Sequence, residues 1–192
     1  MSDFDKRCIH RYALANGARN RWTVPGKPCG LSVTPSCNLL VTCHSAPNKL
    51  VELSADSGQC MREIALQDIM SPCHSVQLTT DQFVVCHGLR STGLHRVCVV
   101  GDDGKVTRSY GGQRGSDIEH LDDPCHLAVD KDSKFIFVAD KGNHRVVLLS
   151  PTLEFVRYVR EGLPNPYRLH LHETTRRLFV GQEDDGCSVI LL

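Results

Sequence analysis

Residues 124–160 read PCHLAVDKDSKFIFVADKGNHRVVLLSPTLEFVRYVR, and this stretch decides the fold. From Pro124 apolar and polar residues alternate through PCHLAVD, so Leu127 and Val129 share one face of an extended strand. Lys131 to Lys134 form a charged turn, and FIFVAD follows as a second strand with Phe135, Phe137 and Ala139 on one face. KGNH supplies the glycine and asparagine that a chain reversal needs. RVVLLS is a third strand, Pro151 and Thr152 the next turn, and FVRYVR a fourth. Four strands joined by short turns make an antiparallel meander.

The frame recurs. Pro28 opens PCGLSVTPSCNLLVTCHSAPNKLVEL, Pro72 opens PCHSVQLTTDQFVVCHGLRSTGLHRVCVV, and Pro166 opens PYRLHLHETTRRLFVGQEDDGCSVILL. The four prolines lie 44, 52 and 42 residues apart. Self-similarity at this period, with four strands per unit, is the signature of a β-propeller blade. A single four-stranded sheet cannot cover both its faces, so blades stack and bury them. The expected fold is all-β, with blades over 28–71, 72–123 and 124–165, an incomplete last blade over 166–192, and outer strands of an earlier blade over 1–27. MREIALQDIM (61–70) has apolar residues at helical spacing, but it occupies the fourth-strand slot and is assigned to a strand.

These residues carry a resemblance. P-x-H-L-A-V-D followed by F-V-A-D-x-x-N-H-R-V resembles an NHL repeat, the blade unit of NHL propellers. SYGGQRGS (109–116) is placed like that family's glycine-rich inter-blade loop. The copy at 124–160 matches well; the others keep the hydrophobic frame but lack the Ala-Asp and Asn-His pairs. Because such propellers have about six blades of roughly 43 residues, the resemblance implies a partial propeller of about four blades. An open arc is preferred over a four-bladed ring in which NRWTV crosses back to complete the last blade. An open arc exposes blade faces and strand edges through which chains self-associate.

Bulk composition narrows the function. The chain has 192 residues, 41% of them apolar and 23% charged, with zero formal net charge, which gives no overall pull toward nucleic acid or anionic membrane. No apolar run is long enough to span a bilayer. The first residues, MSDFDKRCIHRY, contain no apolar signal core. Ten cysteines without a CxxC pair point to buried thiols of a reduced, cytoplasmic protein rather than to a disulfide framework or zinc ribbon.

Strand direction places the residues after each Pro and those in each loop between second and third strands on one rim, where binding-face candidates are His74, His126, Asn143, His144, Arg145, Tyr167 and Arg168. Four Cys-His dipeptides, at 43–44, 73–74, 86–87 and 125–126, are weighed as a metal site in the channel. Adjacent strand residues point to opposite faces, so a buried thiol beside a hydrogen-bonding imidazole is preferred, and no metal or cofactor is expected. Asp140, Asn143 and Arg145 fit a structural role, with Arg145 pairing Asp140 across the loop. Tyr167-Arg168 is the best aromatic–cation pair for gripping a partner. HETTRR (172–177) starts like a zincin motif but has Arg176 where the second histidine belongs.

The expected function is a non-catalytic interaction module that binds a protein, with RNA as the other partner class. The resemblance implies substrate selection for tripartite-motif ubiquitin ligases, although no RING or B-box cysteine spacing occurs here. It also leaves open a lactonase- or lyase-like enzyme with a channel metal, and an incomplete propeller without independent function.

Overall fold

The structure, a computed structural model, describes residues 1–88, 93–184 and 186–192. Its strands form five separate antiparallel sheets, taken up one after another along the chain. The first comprises β1 (Ser2–Asp3), β2 (Cys8–Tyr12) and β3 (Arg19–Thr23). The second holds β4 (Lys27–Val33), β5 (Leu39–His44), β6 (Lys49–Leu53) and β7 (Cys60–Ala65). The third holds β8 (Pro72–Thr79), β9 (Gln82–His87), β10 (Leu94–Gly101) and β11 (Val106–Gln113). The fourth holds β12 (Pro124–Val129), β13 (Ile136–Asp140), β14 (Arg145–Leu149) and β15 (Phe155–Glu161). The fifth holds β16 (Pro166–His172), β17 (Arg177–Gln182) and β18 (Cys187–Leu191). This is an all-β propeller in which chain neighbours pair within each blade. Among the described residues no helix is long and apolar enough to cross a membrane.

The expectation of about four blades is corrected to five. Residues 2–23 close into a sheet of their own, because β1 pairs Ser2 with Ile9 and Asp3 with Cys8. A two-residue strand leaves no hydrophobic period for a sequence reading to detect. On its other side β2 pairs with β3, from Cys8↔Thr23 to Tyr12↔Arg19. NRWTV therefore does not cross back to the last sheet, and the four-bladed ring is excluded. The glycine-rich stretch at 109–116 is also only partly a loop. Gly111 and Gly112 sit in the β10–β11 ladder opposite Arg96 and His95.

Residues 60–65 show why register outweighs spacing. The chain here is the outer strand β7, with Leu50↔Ile64 and Lys49↔Ala65 paired along β6. A ten-residue helix alone is marginal in water, whereas the exposed edge of β6 supplies a ladder of backbone partners. Only Ile64 of the apolar set in β7 is buried, and Met61 is exposed.

Each pair of neighbouring sheets shares one apolar cluster. Ile9, Val41, Cys43 and Val51 lie between the first and second sheets. Leu40, Leu50, Phe83 and Val85 fill the next interface, Val84, Val97, Ile136 and Val138 the third, and Phe137, Val146, Leu178 and Val180 the fourth. Alternate residues of one strand thus serve opposite interfaces: Ile136 and Val138 pack backward, Phe137 and Ala139 forward. Burial on both faces explains the unbroken apolar runs in the middle strands. Cys43, Cys86, Cys98 and Cys125 are buried in or beside this core, and all ten cysteines are free thiols.

Candidate functional site

The inner strands share one local feature. The ladder to the second strand shifts register between Pro28 and Gly30, Pro72 and His74, Pro124 and His126, and Pro166 and Arg168. The residue after each proline is therefore bulged out of the ladder, which re-aims its side chain. These residues are Cys29, Cys73, Cys125 and Tyr167, and all four line one cavity of about 500 Å³ to which every sheet contributes. Ser2 and Phe4 complete its wall from the first sheet. His44 closes it beside Cys29, since Lys27 pairs with His44 in the β4–β5 ladder.

The charged groups of the cavity are concentrated beside Tyr167. Lys141 Nζ lies 2.9 Å from Glu183 Oε1 and 3.8 Å from Asp123 Oδ2. Burial works to lower the Lys141 pKa, but the Glu183 hydrogen bond and the Asp123 field outweigh it and hold the ammonium above its ordinary value. Arg168 stacks 4.0 Å and Lys141 5.3 Å from the Tyr167 ring centroid. The Arg168 guanidinium donates to Tyr167 O, and among the described residues no carboxylate pairs with it. The thiols are of opposite character. Burial pushes Cys73 up to about 12, with Asp123 adding to the shift, and burial raises Cys29 and Cys125 as well. They are neutral, weakly nucleophilic groups at physiological pH.

Beneath this layer the imidazoles tie blades together. Leu127 N–H donates to His74 Nδ1 and leaves Nε2–H to donate to Leu31 O at 3.1 Å, so one ring bridges three sheets. His126 stacks on it at 3.7 Å between centroids and accepts the Leu169 N–H from the fifth sheet. Burial lowers the His74 pKa to about 4 and lowers that of His126 well below its ordinary value. Gly30 holds the position equivalent to these histidines, and a Cβ there would come within 2.8 Å of the His74 Cα and 2.6 Å of Cys73 O. The second sheet therefore needs glycine where the third and fourth have histidine. His87 is likewise spoken for: it accepts from Arg96 Nε and donates from Nδ1 to Met70 O.

Asp140 is fully buried. It accepts hydrogen bonds from Arg145 Nε at 2.7 Å, Asn143 Nδ2 at 2.8 Å and Asp122 N–H at 2.7 Å. Arg145 in turn donates to Ser116 O and His120 O, and Asn143 to Gly115 O. The trio pins the 114–123 connection onto the fourth sheet, with the Arg145–Asp140 pair that its spacing suggests.

Of the seven candidate residues, Tyr167 and Arg168 line the cavity. His74 and His126 lie below it, and Asn143 and Arg145 belong to the loop anchor. His144 sits exposed at a left-handed turn position, accepting the Asn165 N–H. Sequence reasoning missed Asp123, Lys141 and Glu183. Each flanks a strand end on the predicted rim, which was the available signal.

No protein-family model matches the chain, and no curated protein matches it. Solved structures do. Kuenenia stuttgartiensis hydrazine synthase aligns at TM-score 0.66 and 12% identity, over 100% of this chain and 79% of that one. The β-propeller domain of Myceliophteria thermophila Cps50 (Swd1) aligns at TM-score 0.67 and 12% identity, over 100% of this chain and 64% of that domain. Virginiamycin B lyase from Staphylococcus aureus aligns at 0.62 and 10%, over 98% of this chain and 64% of the lyase. The chain thus spans just under two thirds of the last two. At these identities the likeness shows the fold, a β-propeller, and nothing finer.

Proposed function

We propose that this propeller is a non-catalytic interaction module that docks a protein segment at the axial cavity. The carrying observation is the division of labour among its polar groups. The imidazoles of His74, His87 and His126 are committed to backbone partners, Asp140 is sealed by three donors, and the thiols are held protonated. What remains in the cavity wall is Tyr167 with Arg168, beside the paired Lys141 and Glu183, and the His44 ring. An aromatic ring with a stacked guanidinium is the residue chemistry of protein-interface hot spots. Asp123 and Glu183 in the same wall oppose a phosphate backbone, which favours protein over RNA. On this reading the chain presents a bound segment to a catalytic partner, the role that the NHL resemblance implies in tripartite-motif ubiquitin ligases.

Selection of displayed peptides on the full chain tests this. Selected peptides should lose at least about tenfold affinity, or about 1.4 kcal/mol, on Tyr167→Ala or Arg168→Ala. Equal binding to both variants, stronger salt-sensitive retention of single-stranded RNA, or an elimination or hydrolysis rate abolished by cavity substitutions would each overturn the proposal.

A further inference from the structure

The face of the first sheet turned away from the second gathers three metal-ligating side chains. Asp3 stands directly across from Cys8 in the β1–β2 ladder. His10 follows Cys8 by two residues, so both leave the same side of β2, while Ile9 between them enters the core. The objection that disqualifies the Cys-His dipeptides does not apply to this Cys-x-His spacing.

The distances fit an ion. Cys8 Sγ lies 3.4 Å and Asp3 Oδ2 3.6 Å from His10 Nε2. All three ligand atoms fall within 4.8 Å of one another, and among the described residues this is the one such cluster. Tetrahedral zinc, with sulfur at ~2.3 Å and nitrogen or oxygen at ~2.0–2.2 Å, sets neighbouring ligand atoms roughly 3.3–3.6 Å apart. Two edges of a ligand tetrahedron are thus already present.

Chemistry and surroundings agree. A thiolate and a carboxylate together offset the charge of a divalent ion, and thiolate with imidazole selects zinc over magnesium or calcium. The Lys6 N–H donates to Asp3 Oδ1 at 3.0 Å, orienting the carboxylate and leaving Oδ2 toward the cluster. Lys6 Nζ lies 3.3 Å from Oδ2 on a side chain 68% exposed, a solvent-screened pair of little strength. Cys8 is fully buried, and its sulfur has His10 Nε2 as its polar partner. We infer that Asp3, Cys8 and His10 form a zinc(II) site with three protein ligands and a fourth position open to water, fastening the two-residue strand β1 to β2.

The test is titration of the full, reduced chain with cobalt(II), then displacement by zinc(II). One equivalent of cobalt should give a thiolate-to-metal charge-transfer band and the visible bands of a tetrahedral ion. Cys8→Ser should remove the charge-transfer band. Because Cys8 is buried, Asp3→Ala and His10→Gln carry the decision: each should weaken zinc at least about tenfold with the far-ultraviolet circular dichroism unchanged. Cys37→Ser, at an exposed thiol elsewhere, should leave affinity unaltered. Absence of the charge-transfer band in the native chain, or unchanged zinc affinity in both Asp3→Ala and His10→Gln, would overturn the assignment.

Discussion

His74 shows how much one side chain carries. Its two nitrogens serve backbone groups of two other sheets, and the bond accepted at Nδ1 from Leu127 N–H requires the neutral ring. Burial holds His74 and His87 near pKa 4, against about 6.5 in an unfolded chain. The folded pKa is the lower one, so the unfolded chain binds more protons as pH falls below about 6.5, and stability declines in that direction until about pH 4. Between pH 7 and pH 5 each ring should cost about 2 kcal/mol of unfolding free energy. Urea unfolding at the two pH values measures the loss. His74→Phe should unfold about 1–3 kcal/mol more easily at pH 7, because Leu31 O and Leu127 N–H lose their partner, and should show a shallower pH slope. An unchanged slope would remove His74 from the titrating set.

At the scale of the element, the middle strands bear the energy because both their faces are covered. Ile136 of β13 is fully buried between the third and fourth sheets. Ile136→Ala should cost about 2–5 kcal/mol in chemical denaturation, from lost transfer energy plus the cavity left behind. Val189 of β18 is 52% exposed on the outer side of the fifth sheet, and Val189→Thr should change stability by less than about 0.5 kcal/mol. If the two substitutions cost the same, the stacking of sheets is not the main source of stability. The strand β7 carries the complementary lesson. Its apolar spacing suits a helix, yet the unpaired edge of β6 captures it, and one buried contact from Ile64 suffices.

For the whole molecule, stability propagates through neighbour interfaces, as in repeat proteins. The second, third and fourth sheets are packed on both sides, whereas the first and fifth each share a single cluster with a neighbour. Hydrogen exchange should therefore be slowest for amides of β5, β6, β9, β10, β13 and β14 and fastest in the first and fifth sheets. Uniform protection across all five sheets would contradict the nearest-neighbour account. Val189 and Leu191 of the fifth sheet are exposed; we propose that chains self-associate through this face, and sedimentation tests it.

The repeat of proline-led apolar runs was enough to determine an all-β propeller, since a period-two pattern at a spacing of 42 to 52 residues can bury its runs in no simpler way than by stacking sheets. It also placed Tyr167 and Arg168 on the rim, because strand direction alone decides which loops share a side. The number of blades was not legible. A strand as short as Ser2–Asp3 carries no period, and its membership follows from pairing with β2. Nor was the partition between cavity and core visible in the Cys-His pairs. Only the bulges after Pro72 and Pro124 send Cys73 and Cys125 to the cavity and His74 and His126 into neighbouring sheets, and a bulge is a property of two strands in register, which no single segment encodes.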